Sequence, residues 1–198
     1  RTARMTPRSA SKELITAVKT ALNQLVQSPL SAKQAVPSRQ LFSHQRDAVD
    51  KWMSQNCRGI FKMCTGAGKT VAALAGVQEL SKLTRVKGDK LPVIVTVPTR
   101  VLADQWIVEI NRFGFLPALG AYNSFGQWGD LLEPYLHDAG PRFIVTTYCT
   151  FADPRFTDRL KRAEHAGVAA LWIADEMHNL SSIRLRAAMQ AADGLFPY

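Results

Sequence analysis

Residues 63–70 have the composition of a loop that binds phosphate groups. They read Met-Cys-Thr-Gly-Ala-Gly-Lys-Thr and lie between an apolar stretch and a stretch with helical periodicity. Glycines let the backbone turn its N–H groups toward phosphate oxygens, and the N-terminus of the following helix adds a partial positive charge. The general P-loop pattern has glycine where this chain has Met63, so the loop departs from the pattern there. We therefore predict a nucleotide site formed by Thr65, Gly66, Ala67, Gly68, Lys69 and Thr70.

Two adjacent carboxylates follow the apolar run of residues 168–174. A carboxylate pair at the end of a buried strand is costly unless a cation or a reaction uses it. We predict that Asp175 binds Mg²⁺ opposite Thr70, and that Glu176 polarises the water that attacks the γ-phosphate. Lys69 would contact the β- and γ-phosphates, so Glu176, Lys69 and Asp175 form the predicted catalytic set. The two motifs together predict a nucleoside triphosphatase that uses ATP and Mg²⁺.

The elements that must position these residues alternate between apolar strands and helical stretches from Leu41 onward. This alternation is typical of a mostly parallel sheet with helices on both faces. Right-handed crossovers would bring the loops at the carboxyl ends of the strands to one edge, where α/β proteins bind ligands. The predicted strands are residues 59–63, 92–97, 118–122, 142–147 and 168–174. The predicted helices are residues 43–54, 69–83, 100–113, 131–137, 158–165 and 183–191.

The N-terminal part differs in composition from the rest. Residues 1–10 carry three arginines and no acidic residue, which fits a solvated basic lead-in or an organellar transit peptide. Residues 11–27 have leucine and valine at helical spacing, which predicts an amphipathic helix that docks on a protein partner. Residues 31–38 have the composition of a linker. We therefore expect an N-terminal helical appendage over residues 1–38 and one α/β domain over residues 39–198.

Charge and composition favour some partners and exclude others. The chain has 25 Lys and Arg against 16 Asp and Glu, a net charge of +9 that favours polyanionic partners such as nucleic acid. No apolar run approaches the roughly 18 residues of a membrane span, so we expect no membrane partner and a cytoplasmic protein. The odd cysteine count, three, lacks Cys-x-x-Cys spacing, which argues against a disulfide framework or a zinc site. Each cysteine is interpreted as a small buried hydrophobe.

Several segments resemble the DEAD/DEAH-box helicases of superfamily 2. Residues 175–178, Asp-Glu-Met-His, together with residues 65–70, Thr-Gly-Ala-Gly-Lys-Thr, resemble motifs of that family. Residues 41–45 resemble its glutamine-bearing adenine motif. Residues 97–106, Val-Pro-Thr-Arg-Val-Leu-Ala-Asp-Gln-Trp, resemble motif Ia. Residues 145–148 are similar to its strand-end threonine motif, and residues 194–198 look like the approach to motif III. The cluster is most like the type III restriction-subunit and excision-repair branch. It implies a RecA-like P-loop NTPase domain.

The resemblance also implies roles for single residues. Gln45 would hydrogen-bond the edge of adenine, although a solvated helix residue is the alternative. Thr99 and Arg100 would contact phosphates of a bound strand, with Thr147 as a third contact; an ordinary charge at a helix start is the alternative for Arg100. His178 would couple the nucleotide site to motif III, or be a satisfied polar residue.

The function implied is ATP hydrolysis coupled to movement on nucleic acid, with DNA favoured over RNA, in a restriction, repair or phage-defence machine. Family members close two RecA-like domains around ATP, and the second supplies an arginine finger. We therefore expect a part of a longer protein, truncated before motif III, that binds ATP and Mg²⁺ but hydrolyses ATP slowly by itself. Trp106 is interpreted as a core residue rather than a stacking platform. Two alternatives stay open: a P-loop switch ATPase without a nucleic-acid partner, and an interaction module whose nucleotide site is vestigial.

Overall fold

The computed structural model describes residues 40–64, 66–87, 90–176, 187, 190 and 193–197. Contacts within the chain divide it into two compact units, Arg1–Ala35 and Val36–Tyr198, and the described residues all belong to the second. The helix predicted over residues 11–27, and the predicted site residues Thr65 and His178, lie outside the described residues. Most of the helix predicted over residues 183–191 lies outside them too.

The described residues form a parallel sheet whose strands alternate with helices. The strand order is β2-β3-β1-β4, and each neighbouring pair is parallel. This arrangement confirms the predicted α/β class and the parallel sheet. The strands are β1 (Lys90–Val97), β2 (Leu119–Ala121), β3 (Gly140–Thr147) and β4 (Leu171–Ala174). The helices are α1 (Ser43–Ser54), α2 (Lys69–Lys87), α3 (Arg100–Arg112), α4 (Phe125–Trp128), α5 (Leu132–His137), α6 (Tyr148–Phe151) and α7 (Pro154–His165), and a 3-10 turn spans Asp193–Leu195.

Helices cover both faces of the sheet. Successive side chains of a strand point to opposite faces. On β1, Val93 and Val95 belong to one apolar cluster with residues of α1, α2 and α3, whereas Ile94 belongs to a second cluster with residues of α5, α6 and α7. β1 and β3 are buried at nearly every position, as expected of strands that are covered on both faces. The predicted arrangement of helices on both faces is therefore confirmed.

The strand predicted at residues 59–63 is wrong. Residues 58–64 have no regular secondary structure. Gly59, Ile60 and Phe61 line one cavity with residues of β4, and in the described part of the chain β4 pairs with β1 and with no other strand. Hydrogen bonds from Lys62 N to Ile60 O and from Met63 N to Phe61 O, each 3.1 Å, instead turn the backbone locally. Apolar composition predicted a strand here, but a strand also requires a partner for its backbone groups.

Helix α7 begins earlier than the predicted residue 158. Its N-cap is Asp153, whose side chain accepts a hydrogen bond from Arg155 N, and Pro154 occupies the first helical position. Aspartate followed by proline is a favoured helix start, because proline has no N–H to leave unpaired in the first turn. The pattern Asp-Pro is therefore the local signal that the prediction overlooked.

Composition led to two predictions, that each cysteine is buried and that no segment spans a membrane. Cys57 is buried as predicted, and burial raises the pKa of its thiol. Cys64 and Cys149 are exposed, so the interpretation as buried hydrophobes is wrong for them. Cys64 lies in the glycine-rich loop, and Cys149 lies on the exposed side of the short helix α6, whose buried residues are Tyr148 and Phe151. None of the helices that the structure describes combines the length and the apolar character needed to cross a membrane.

We expect Ile144→Ala to destabilise the fold strongly. Ile144 is fully buried (0% exposed) on β3, which lies between β2 and β1. Removing its side chain leaves a cavity, which should lower the free energy of unfolding by about 2–5 kcal/mol in urea titrations. The control is Val101→Ala on α3, where the side chain is 67% exposed, and its effect should stay within about 0.5 kcal/mol. Similar effects of the two substitutions would contradict this placement of the core.

Candidate nucleotide site and nucleic-acid interface

The carboxyl ends of β1, β3 and β4 meet at one edge of the sheet. Val97 of β1 pairs with Thr147 of β3, and Thr96 of β1 pairs with Ala174 of β4. Asp175 directly follows β4, and its N–H donates to Thr96 O at 3.0 Å, which extends the pairing by one residue. The segments that carry the predicted metal and nucleic-acid contacts at the ends of β1, β3 and β4 therefore leave the sheet together.

The glycine-rich loop leads directly into α2, which begins at Lys69. Gly66 and Gly68 both have φ +80°, in the left-handed region that side chains other than glycine disfavour. The Lys69 ammonium donates to Met63 O at 3.3 Å, so the side chain folds back over its own loop. A phosphate oxygen would be a stronger acceptor for this ammonium, because both partners of the hydrogen bond would then be charged.

Lys69 shares one cavity with the two predicted carboxylates. The cavity has a volume of about 500 Å³, and its walls include Lys69, Asp175 and Glu176 together with the edge of β4. Small-molecule sites in proteins have volumes of roughly 300–1,000 Å³. The three predicted catalytic residues, which are far apart in sequence, therefore lie on the same side of the molecule.

Asp175 accepts three hydrogen bonds in addition to the one that its N–H donates to Thr96. The carboxylate oxygen Oδ2 accepts from Trp106 Nε1 at 2.9 Å, and Oδ1 accepts from Glu176 N at 3.0 Å. The backbone oxygen of Asp175 accepts from the Tyr148 hydroxyl. Burial, together with the nearby charge of Asp175, raises the pKa of Tyr148 to about 12, so the phenol keeps its proton near neutral pH. Glu176 itself has φ 55°, an uncommon conformation for a residue with a side chain.

The donor chemistry at this edge fits a magnesium ion. Mg²⁺ takes oxygen ligands, usually one or two protein carboxylates or hydroxyls together with phosphate oxygens and water. The Asp175 carboxylate and the Thr70 hydroxyl are ligands of this kind, and Thr70 follows Lys69 at the start of α2. These residues therefore suit the predicted metal, with a bound nucleotide supplying further oxygens.

Gln45 holds the phosphate loop. Its side chain is 4% exposed, so the alternative of a solvated helix residue is wrong. The amide oxygen accepts from Phe42 N at 3.1 Å, and the amide nitrogen donates to Ala67 O at 3.0 Å. His44 Nε2 is also 3.1 Å from Ala67 O. The start of α1 is thus bonded to the middle of the loop, while a contact of Gln45 with adenine stays a prediction.

The residues that are predicted to contact a nucleic-acid strand differ in accessibility. Thr99 caps α3 by accepting from Leu102 N at 3.3 Å, and both Thr99 and Arg100 are exposed. Thr147 is only 8% exposed. Its hydroxyl caps α6 by accepting from Thr150 N at 3.4 Å, and it lies 3.2 Å from the Thr150 hydroxyl. The structure therefore presents Thr99 and Arg100 at the surface but keeps the Thr147 hydroxyl inside the fold.

Sequence reasoning missed the contacts of Trp106 and Tyr148 with Asp175. The interpretation of Trp106 as a core residue is correct, because its side chain is 4% exposed. A buried indole or phenol must find a hydrogen-bond acceptor, and that requirement was the available signal. It does not identify the acceptor, which for Trp106 lies far along the chain.

A parallel sheet with a glycine-rich loop opening a helix, and a carboxylate pair at the end of a strand beside it, defines a RecA-like domain of the P-loop class. The comparisons with known proteins specify the family. The chain belongs to the family described as "Type III restriction enzyme, res subunit", which matches residues 38–195, and with it to the superfamily 2 helicases. The resemblance inferred from the motifs is therefore confirmed.

Two relatives illustrate the range of this superfamily. The chain is 32% identical over 148 residues to the DEAD-box ATP-dependent RNA helicase 31 of Oryza sativa subsp. japonica. It is also 32% identical over 145 residues to the DNA 3'-5' translocase XPB2 of Sulfurisphaera tokodaii. The matches cover 69% and 72% of this chain but only 26% of each relative, so the chain spans about a quarter of their length.

We expect Gly68→Ala to disturb the phosphate loop more than Gly66→Ala. Both positions have φ +80°, but a Cβ at residue 68 would lie 2.3 Å from Gln45 Nε2, whereas one at residue 66 meets nothing within 4 Å. Gly68→Ala should therefore displace Gln45 and release Ala67 O, which lowers nucleotide affinity and the unfolding temperature together.

The double variant Gln45→Ala/Gly68→Ala tests this explanation, because it removes the obstructing amide. Nucleotide affinity and the unfolding temperature should fall by less than the sum of the two single effects. Strictly additive losses would show that Gly68 does not act through Gln45.

Proposed function

We propose that this chain is the ATP-binding domain of a superfamily 2 motor that couples ATP hydrolysis to movement on nucleic acid. One observation carries the proposal: Lys69, Asp175 and Glu176 line a common cavity at a sheet edge that also presents Arg100. The helicase and translocase relatives support a motor over a switch ATPase or an interaction module.

The nucleotide binds with its phosphates against the loop. The backbone N–H groups at the start of α2 and the Lys69 ammonium neutralise the phosphate oxygens. The Thr70 hydroxyl and the Asp175 carboxylate would hold Mg²⁺, which would supply positive charge to the phosphates. Glu176 accepts a proton from the attacking water, whose oxygen bonds to the γ-phosphorus while the bond to the β–γ bridging oxygen breaks and ADP leaves. Gln45 keeps the loop in place and offers its remaining amide N–H toward adenine.

The nucleic-acid strand binds at the start of α3. Arg100 supplies a positive charge, Thr99 supplies a hydroxyl, and the N-terminus of α3 adds a partial positive charge. Contacts of this kind read the phosphate backbone and not the bases, which suits a protein that moves along its track. The net charge of +9 favours the same partner. We favour DNA as the track, within a restriction or phage-defence machine.

The proposed motor also needs a second RecA-like domain and has a place for a protein partner. A second RecA-like domain closes on the nucleotide and supplies the positive charge that stabilises the transferring phosphoryl group. His178 couples the nucleotide site to motif III. The amphipathic pattern of residues 11–27 provides a docking surface for a protein partner.

Nucleotide binding tests the first half of the proposal. Lys69→Ala should weaken binding of a fluorescent ATP analogue with Mg²⁺ by at least tenfold, because the phosphates lose their charged partner. Lys82→Ala on the same helix removes an equal charge from an exposed side chain that pairs with Glu79, and it should leave binding unchanged. Glu176→Gln should keep the affinity but slow single-turnover hydrolysis by about 10²–10⁴-fold. Equal binding by the Lys69→Ala and Lys82→Ala variants would refute the nucleotide site.

Oligonucleotide binding tests the second half. Arg100→Ala should weaken binding of a single-stranded oligonucleotide and reduce the slope of log affinity against log salt by about 0.7, because one phosphate contact is lost. Arg112→Ala, at the opposite end of α3, removes an exposed arginine that pairs with Glu109 and is the matched control. If both variants retain the affinity and salt slope of the original chain, the strand does not bind at the start of α3.

A further inference from the structure

Helix α3 connects the proposed strand contact to the metal-binding carboxylate. The helix begins with Arg100, follows the cap residue Thr99, and carries Trp106 on its buried side. The Trp106 indole N–H reaches the carboxylate of Asp175 at 2.9 Å, a contact between residues 69 positions apart in the chain. One helix therefore has an accessible cation at its start and a hydrogen bond to Asp175 less than two turns later.

The acceptor of Trp106 differs in kind from those of two other tryptophans. Trp128 Nε1 donates to Asn123 O at 3.3 Å, and Trp172 Nε1 donates to the Thr96 hydroxyl at 3.0 Å, so both have neutral acceptors. A hydrogen bond to a carboxylate is shorter and stronger than one to a neutral oxygen. Groups that donate to a metal-binding side chain fix its orientation and thereby tune the affinity for the metal.

The other bonds of Asp175 come from elements other than α3. Its N–H is bonded to Thr96 of β1, its backbone oxygen to Tyr148, and Oδ1 to the N–H of Glu176. These bonds fix the backbone of Asp175 and one carboxylate oxygen. Among the described residues, the hydrogen bond to Oδ2 comes from Trp106. A shift of α3 would therefore change the Oδ2 contact while the backbone of Asp175 stays in place.

We propose that Trp106 is a positioning residue that orients the Asp175 carboxylate for Mg²⁺ and transmits strand binding at the start of α3 to that carboxylate. This inference rests on the proposed function, since it takes the metal and the strand from it. It adds a route between them that consists of one helix and one hydrogen bond. A tryptophan that only fills the core would leave the magnesium dependence of nucleotide binding unchanged.

Trp106→Phe tests the first part, because phenylalanine keeps an aromatic ring but has no N–H. The Mg²⁺ concentration for half-maximal binding of a fluorescent ATP analogue should rise about tenfold, the lower end of the effect of removing a partner of a metal ligand. Nucleotide affinity in EDTA should not change, which also shows that the fold is intact. Trp128→Phe removes the same atoms from another buried indole and should keep the original magnesium dependence.

A single-stranded oligonucleotide tests the transmission. It should lower the half-maximal Mg²⁺ concentration for the unsubstituted chain but not for the Trp106→Phe variant. In an Asp175→Asn background, Trp106→Phe should have no further effect on magnesium dependence, since each change removes the hydrogen bond between the indole N–H and a charged carboxylate.

The outcomes separate this inference from the proposed function. No magnesium-dependent nucleotide binding by the unsubstituted chain would overturn both. Such binding with identical magnesium curves for the Trp106→Phe variant and the unsubstituted chain would overturn only the role of Trp106. An oligonucleotide that leaves the magnesium curve of the unsubstituted chain unchanged would overturn the transmission.

A second measurement does not depend on the Trp106→Phe variant folding. The chain has four tryptophans, so a ¹H–¹⁵N spectrum contains four indole N–H resonances. Asp175→Asn should shift one of them strongly, because the charged acceptor of Trp106 is lost. Oligonucleotide added to the unsubstituted chain should shift the same resonance. If Asp175→Asn leaves all the indole resonances in place, the contact is absent in solution and the inference is wrong.

Discussion

The pairing of β4 with β1 is the constraint on which the site depends. Because the two strands are parallel and in register, Asp175 leaves the sheet beside Thr96, and its own N–H continues the ladder by one bond. The carboxylates of Asp175 and Glu176 therefore lie at the edge of the sheet where β1 ends and the segment with Thr99 and Arg100 begins. A slip by one residue would turn the side chains of β4 to the opposite faces of the sheet and move the carboxylates along the edge. The backbone at Glu176 takes a left-handed conformation directly after this fixed point.

The phosphate loop depends on a different contact, the one between Gln45 and Ala67. The peptide bond is planar and trans, so the carbonyl of residue 67 and the N–H of Gly68 point in opposite directions. Gln45 and His44 both contact the carbonyl oxygen of Ala67, which therefore points toward α1. The Gly68 N–H, on the other side of the same peptide bond, is directed away from α1. A glycine-rich loop has many conformations available, and this bond selects one of them. The start of α1 thus shapes the glycine-rich loop through Gln45 and His44.

The sequence predicted the features that depend on neighbouring residues. The periodicity of α1, the apolar runs of β1 and β3, and the loop that opens α2 are local patterns, and each appears in the structure. The failures depend on partners that are distant in sequence. The segment at residues 59–63 has strand composition but lines a cavity together with β4 and does not pair with it. The amide of Gln45 is buried because α1 packs against the loop, which periodicity alone cannot reveal. The Trp106 indole required an acceptor, but only the fold brings Asp175 to it.

The different accessibility of Thr99 and Thr147 favours the proposed route to the metal site through α3 over one through α6. Both hydroxyls cap a helix, so both accept one backbone N–H. The Thr99 hydroxyl lies at the surface, where its proton can be donated to a phosphate oxygen while its oxygen keeps the cap. The Thr147 hydroxyl is buried against Thr150, so a strand could reach it only if the start of α6 opened. A nucleic-acid strand that binds as proposed would therefore act first on the helix that carries Trp106, while Tyr148 of α6 keeps the Asp175 backbone where β4 places it.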